Sequence, residues 1–170
     1  MEERYIQIYT GEGKGKTTAA IGLCIRALGA GWKVLFVQFL KHGEYSEIKA
    51  LKKFEPQIHI AQFGIGKFVR GKPSKEEINI AQEGIKFVKQ QLKNYDLVIL
   101  DEINVAIHFN VVSLEEVINV VKNKPKSTEL VLTGRWAKKE LIKIADLVTN
   151  MEPVKHYFKK GVKSRIGIEK

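Results

Sequence analysis

The chain has 170 residues, 44% of them hydrophobic and 28% charged, with 29 Lys and Arg against 19 Asp and Glu for a net charge of +10. That length supports one sizeable core and is short for two, so a single domain over residues 1–170 is expected. No apolar run is long enough to cross a bilayer, the N-terminus lacks a leader pattern, and the lone Cys24 excludes an intrachain disulfide, so a soluble cytoplasmic protein with no membrane partner is expected.

The first strand pattern, Tyr5-Ile6-Gln7-Ile8-Tyr9, runs directly into Thr10-Gly11-Glu12-Gly13-Lys14-Gly15-Lys16-Thr17-Thr18. A strand, a loop rich in glycine and lysine, and a helical pattern behind it form the arrangement that wraps a polyphosphate. Glycines admit close backbone approach, and the following helix N-terminus favours negative charge. Gly11, Glu12, Gly13, Lys14, Gly15, Lys16, Thr17 and Thr18 are therefore candidate nucleotide contacts, with Lys16 bridging phosphates and the Thr17 hydroxyl ligating Mg²⁺. Thr10 stands where the usual G-x-x-x-x-G-K-[ST] pattern has its first glycine. A plain β-to-α turn would need fewer glycines and no buried lysine.

The helix that follows carries Ala20, Leu23, Cys24, Ala27 and Leu28 at the spacing of one inner face, which makes Cys24 a small core residue and not a nucleophile. Arg26, further along it, reads equally well as a phosphate ligand or as a surface arginine. Val34 to Phe39 and Ile58 to Ala61 have the length of buried parallel strands, and the stretch from Gly64 to Gly71 reads as a long mobile loop. Ser74 to Glu77 is a capping box opening a helix with Ile78, Ala81, Ile85, Val88 and Leu92 at helical spacing. Leu97 to Leu100 is another buried strand, and it ends in Asp101-Glu102, the Walker B position. A carboxylate there binds Mg²⁺, directly or through water, near the Thr17 hydroxyl. Sequence leaves open which acid does so, and Glu102 is also placed to orient a water.

A second capping box, Ser113 to Glu116, opens a helix with Leu114, Val117, Ile118 and Val121. Leu130 to Thr133 and Leu147 to Met151 supply further strands of the buried parallel kind, and Arg135, following Thr133-Gly134, is placed to clamp a phosphate. The end of the chain, from Pro153 to Glu169, reads as a basic tail finishing in a strand. His42, His59, His108 and His156 are too dispersed for a zinc site. Strands alternating with helices give right-handed crossovers and an α/β domain whose mostly parallel sheet is covered by helices on both faces. Ligands bind beyond the carboxyl ends of such strands, so the loops after Tyr9, Phe39, Leu100 and Thr133 should converge on one site.

Taken together, Thr10 to Ala20, Gln38-Phe39-Leu40-Lys41, Leu100-Asp101-Glu102-Ile103-Asn104, Thr133-Gly134-Arg135 and Pro153-Val154-Lys155-His156 resemble, in order and spacing, the phosphate-loop type of ATP:corrinoid adenosyltransferase. The resemblance implies a RecA-like sheet, ATP as co-substrate, dependence on Mg²⁺ or Mn²⁺, a reduced corrinoid as second substrate, a homodimer and a flavoprotein-type reductant. It implies transfer of the 5′-deoxyadenosyl group of ATP to Co(I) with release of triphosphate, from ATP bound in reverse relative to hydrolases. Lys16 and Arg135 would be the catalytic pair; Thr17, Glu102 and Asp101 would surround the metal. The sequence departs from the family where His42 intervenes before Gly43. It departs again where Gly66-Lys67-Phe68-Val69 replaces a Gly-Phe-Thr-Trp run whose aromatics press on the lower corrinoid face; Phe68 is the candidate for part of that role, or a loop hydrophobe packed on the sheet.

The competing expectation is a RecA-like ATPase acting with nucleic acid, for which the +10 charge would be the binding surface. It calls for a basic stripe interleaved with aromatics. Here the aromatics fall mostly inside strands and helices, so anionic ATP and a solvated surface account better for the charge, and nucleic acid is not expected as a partner.

Overall fold

The computed structural model describes residues 3–66 and 71–169. Its centre is a six-stranded sheet in the order β3-β2-β4-β5-β1-β6, every pair of neighbours parallel. The strands are β1 (Ile6–Thr10), β2 (Val34–Phe39), β3 (Ile58–Phe63), β4 (Leu97–Asp101), β5 (Glu129–Thr133) and β6 (Leu147–Asn150). β5 lies between the strand that feeds the glycine-rich loop and the strand that ends in Asp101, as in a RecA-like fold.

Period-two alternation divides the core between the two faces of the sheet. Val34 and Phe36 of β2, with Leu97 and Ile99 of β4, pack under Ala20, Cys24, Ala27 and Leu28 of α1 (Lys16–Gly29) and Ile48 and Leu51 of α2 (Ser46–Leu51). Leu35, Val37 and Phe39, with Val98 and Leu100, face the opposite layer. That layer is formed by α3 (Lys75–Gln91), α4 (Ile103–His108), α5 (Leu114–Lys122) and α6 (Lys139–Ile144). Cys24 is fully buried, and burial pushes its thiol up to about 12, which leaves it an inert core residue. Both anticipated capping boxes form, at Ser74 with Glu77 and at Ser113 with Glu116.

Two expectations are corrected. The run at Leu147 forms a parallel strand, but all four of its residues are exposed: β6 is an edge strand paired on one side to β1. The chain end forms no strand among the described residues. After a short 3-10 turn at Tyr157–Lys160 it closes into a turn in which the Glu169 carboxylate accepts hydrogen bonds from the Arg165 backbone and side chain. Local side-chain bonding there satisfies a backbone donor that an extended strand would have needed a neighbour to pair.

Candidate functional site

The loops after β1, β2, β4 and β5 do converge, and a fully buried carboxylate, Asp101, joins them. Thr17 Oγ1 donates to Asp101 Oδ1 at 2.8 Å and Thr133 Oγ1 to the same oxygen at 2.7 Å. Gln38 Nε2 and Lys41 Nζ donate to Oδ2 at 3.1 and 2.8 Å. Burial opposes ionisation of Asp101, but the charge and hydrogen bond of Lys41, with those of Thr133 and Thr17, outweigh it and hold the carboxyl below its ordinary range. Burial likewise opposes the Lys41 ammonium, and Asp101 and Glu102 reverse that effect and raise it.

Because both Asp101 oxygens are engaged, the adjacent acid is the one facing open space. Glu102 has φ 62°, a left-handed conformation costing about 1–3 kcal/mol in a non-glycine residue. Its N–H donates to Thr133 Oγ1 at 3.0 Å, and its carboxylate lines the cavity described below, 3.9 Å from Lys41 Nζ. Burial, then the charge of Asp101, raises its pKa. Leu40, just beyond β2, shares the same φ of 62° and directs the chain so that Lys41 returns over the sheet edge.

The glycine-rich loop is braced by the segment after β6. Gly13 N donates to Met151 O at 2.7 Å, and a Cβ on Gly13 would lie 2.7 Å from that same oxygen. Gly11, at φ +100°, is equally hemmed by Met151 and Asn150. These two glycines thus answer to the protein's own backbone as well as to any phosphate, which the sequence did not reveal. Thr10, in the place of the usual first glycine, accepts from Ala137 N at 3.3 Å and so ties the loop to the turn after β5. Lys16 Nζ donates to Gly11 O and Gly13 O at 2.8 and 2.6 Å. Burial lowers its pKa. The N-terminus of α1 has no side-chain cap and no acid in its first turn, in contrast to the capped α3 and α5, so its amide donors remain free for an anion.

Arg135 pairs with Glu12 at 3.4 Å on the other flank of the loop. Its guanidinium lies 4.3 Å from the Trp136 ring centroid, and Trp136 stacks on His108 at 4.1 Å. Lys14 is exposed at the loop tip. Arg26 is exposed in the last turn of α1, about 15 Å along the helix from Lys16, and is not brought to the cavity. Phe68 lies outside the described residues. Sequence reasoning quoted Gln38 and Lys41 within the family resemblance but gave neither a role, although their position at a strand's carboxyl end was the available signal; Trp136 was not singled out.

Beside the loop opens a cavity of about 820 Å³. Thr17, Thr18, Lys41 and Glu102 make its polar side, with Ile21, Leu40 and Tyr45 among its apolar lining. The donors gathered there, a threonine hydroxyl and a carboxylate, are hard oxygens suited to Mg²⁺ or Mn²⁺. No group of three or more His, Cys, Asp or Glu able to hold a metal occurs among the described residues. Mg²⁺ commonly takes one or two protein ligands and fills its shell with phosphate oxygens and water.

Known proteins resemble this chain over nearly its whole length. A family model described as "ATP:corrinoid adenosyltransferase BtuR/CobO/CobP" matches residues 2–169. A protein named corrinoid adenosyltransferase from a Sinorhizobium species is 35% identical over 99% of this chain and 81% of its own length. One of the same name from Pseudomonas aeruginosa is 34% identical over 99% and 84%. "Corrinoid adenosyltransferase CobA" of Salmonella typhimurium is 35% identical over 99% and 87%.

Proposed function

The chain belongs to the ATP:corrinoid adenosyltransferase family, and from that premise we propose that it transfers the 5′-deoxyadenosyl group of ATP to the Co(I) of a reduced corrinoid, serving adenosylcobalamin formation. The observation that carries the assignment to this site is the position of Thr17. It closes the glycine-rich loop and also lines the large cavity, so a nucleotide gripped by the loop lies against whatever occupies the cavity. The whole-chain family match favours this transferase over a nucleic-acid-associated ATPase.

In the reaction the Co(I) lone pair attacks C5′ of ATP, the C5′–O bond breaks, and its electron pair leaves on triphosphate while cobalt becomes formally Co(III). Co(I) is itself a strong nucleophile, so no protein nucleophile is needed, consistent with Cys24 being buried in the core. The protein's work is alignment and charge dispersal on the leaving group. Lys16, Arg135, Lys14 and the uncapped N-terminus of α1 receive the triphosphate. To reach it Lys16 exchanges the carbonyls of Gly11 and Gly13 for phosphate oxygens. Binding of the triphosphate also separates Arg135 from Glu12, an exposed pair worth little in itself.

Glu102 and the Thr17 hydroxyl would hold Mg²⁺ or Mn²⁺, which when bound neutralises triphosphate charge. Asp101 orients Thr17 from behind by accepting its hydrogen bond, which would leave the hydroxyl's lone pairs available to a metal ion. A homodimer belongs to the same proposal and is supported by the exposed edge at β6, where Leu147 and Val148 stand in solvent. So does a flavoprotein-type reductant delivering Co(I). A cytoplasmic setting is also proposed; no helix among the described residues is long and apolar enough to cross a membrane. The test is to mix the protein with Mg-ATP and a corrinoid reduced to Co(I) and follow the absorbance of a light-sensitive cobalt–carbon bond. A spectrum that never changes refutes the assignment.

A further inference from the structure

The cavity has a wall that the adenosyl-transfer chemistry leaves without a task. Ser164, Gly167, Ile168 and Glu169, from the end of the chain, line it together with Leu40 and Tyr45. A second lobe of about 380 Å³ shares Tyr45 and Ser46 with the first and is lined by Ile166 of the same turn. The turn is locked from within. The Glu169 carboxylate accepts from Arg165 N at 2.9 Å, Arg165 Nε at 3.3 Å and Arg165 Nη2 at 3.1 Å, and also from the Tyr157 hydroxyl. The Arg165 guanidinium in turn lies over the Tyr157 ring at 5.0 Å. This clasp holds two isoleucines toward solvent, Ile166 at 82% and Ile168 at 52% exposure, an arrangement that is unfavourable until something apolar covers them.

ATP is a poor match for that wall. None of the three cations assigned to its phosphates, Lys14, Lys16 and Arg135, lines either lobe. The lobes of about 820 and 380 Å³ together exceed the roughly 300–1,000 Å³ typical of a pocket for one drug-sized ligand. A broad macrocycle with an apolar face matches both the size and the lining. Resting on the corrinoid reading above, we propose that the turn Ser164–Glu169 is a corrinoid-binding element: Ile166 and Ile168 cover part of the ring, and Glu169, through Arg165 and Tyr157, is the residue that positions them.

The test separates the two substrates. Ile166→Ala/Ile168→Ala, Glu169→Ala and Glu169→Gln are titrated with cobalamin and with cobinamide, both as Co(II), by electron paramagnetic resonance. The same proteins are titrated with Mg-ATP by calorimetry in the absence of corrinoid. The double isoleucine variant should bind corrinoid at least about tenfold more weakly, the effect of losing roughly 1.4 kcal/mol of apolar contact, and raise the corrinoid KM to match. Its ATP affinity should stay within about twofold of the parent. Glu169→Ala should move in the same direction, with Glu169→Gln partly restoring affinity because an amide oxygen still accepts from Arg165. The turn is peripheral, so thermal midpoints should be unchanged; if Glu169→Ala does not fold, the isoleucine variant alone decides. Weakened ATP binding with unaltered corrinoid binding, or no change in either, overturns the proposal. Failure of the unmodified protein to form a cobalt–carbon bond would instead strike the functional assignment, and is read first.

Discussion

Replacing Lys41 with methionine removes the ammonium 2.8 Å from a carboxylate that has no solvent exposure, while keeping most of the side chain's packing. Breaking a buried ion pair by deleting one partner costs about 3–5 kcal/mol, because the remaining charge is left uncompensated. Two features place this site at the lower end: the Lys41 side chain is 23% exposed, and Thr17, Thr133 and Gln38 still donate to Asp101. A loss of about 3 kcal/mol at neutral pH is expected, which for a chain of this size lowers the melting midpoint by roughly 6–12 °C. The pH dependence follows from the direction of the Asp101 shift. Its folded pKa lies below the ordinary 3.8, so its carboxylate contributes stability above that value and loses it as pH falls through the folded pKa. Without Lys41 the carboxyl protonates at higher pH, so the gap between parent and variant should narrow as pH falls through the interval in which the variant's carboxyl is protonated and the parent's is still ionised. Urea unfolding at several pH values measures this. Adding Asp101→Asn to the Lys41→Met background should recover part of the loss, because the uncompensated charge is gone. A penalty under about 0.5 kcal/mol, the range of an ordinary surface substitution, or one of equal size at every pH, would refute the reasoning.

Lys16→Ala removes the charged contact to phosphate, and ATP binding measured by calorimetry should weaken by about 10- to 100-fold, the equivalent of roughly 1.5–3 kcal/mol. Adenosyl transfer should fall with it, and near-normal turnover would remove Lys16 from the mechanism. Gly13→Ala puts a methyl 2.7 Å from a backbone oxygen that cannot swing aside. The expected cost is about 1–3 kcal/mol in thermal or urea unfolding, accompanied by weaker ATP binding, and an unchanged midpoint would show that the Met151 brace is not tight. Glu102→Gln should separate stability from function. Burial and Asp101 raise the pKa of Glu102, so its charged form is disfavoured in the fold, and the amide should melt no lower than the parent. Binding of Mn²⁺ together with ATP, followed by electron paramagnetic resonance, should nonetheless weaken about tenfold or more, and retained Mn²⁺ affinity would reassign the metal ligand.

Much of the fold was legible because strand and helix signals here are local. The capping boxes at Ser74 and Ser113 form as read, and the alternation of short apolar runs with helical periods leads to a parallel sheet whose carboxyl edge carries Thr17, Asp101 and Arg135. Exposure was not legible in the same way. Leu147 and Val148 look like Leu97 and Val98 in sequence, and only their place at the sheet edge distinguishes them. The site was legible at the residues belonging to recognisable patterns and opaque at those acting through long-range contact. Lys41 matters because β2 lies beside β4, which no local spacing states. The tail was misread as a strand because its alternating apolar residues face a cavity and solvent, and the carboxylate that bends it stands four residues beyond its partner Arg165.

Phosphate-product analysis tests the central claim most directly. The protein is incubated with Mg-ATP, with and without a Co(I) corrinoid, and the phosphate products are separated by ion chromatography while alkylated corrinoid is counted by absorbance. Inorganic triphosphate should form in equal amount to the new cobalt–carbon bonds and only when corrinoid is present. ADP and orthophosphate, released without corrinoid and stimulated by DNA or RNA, would contradict it.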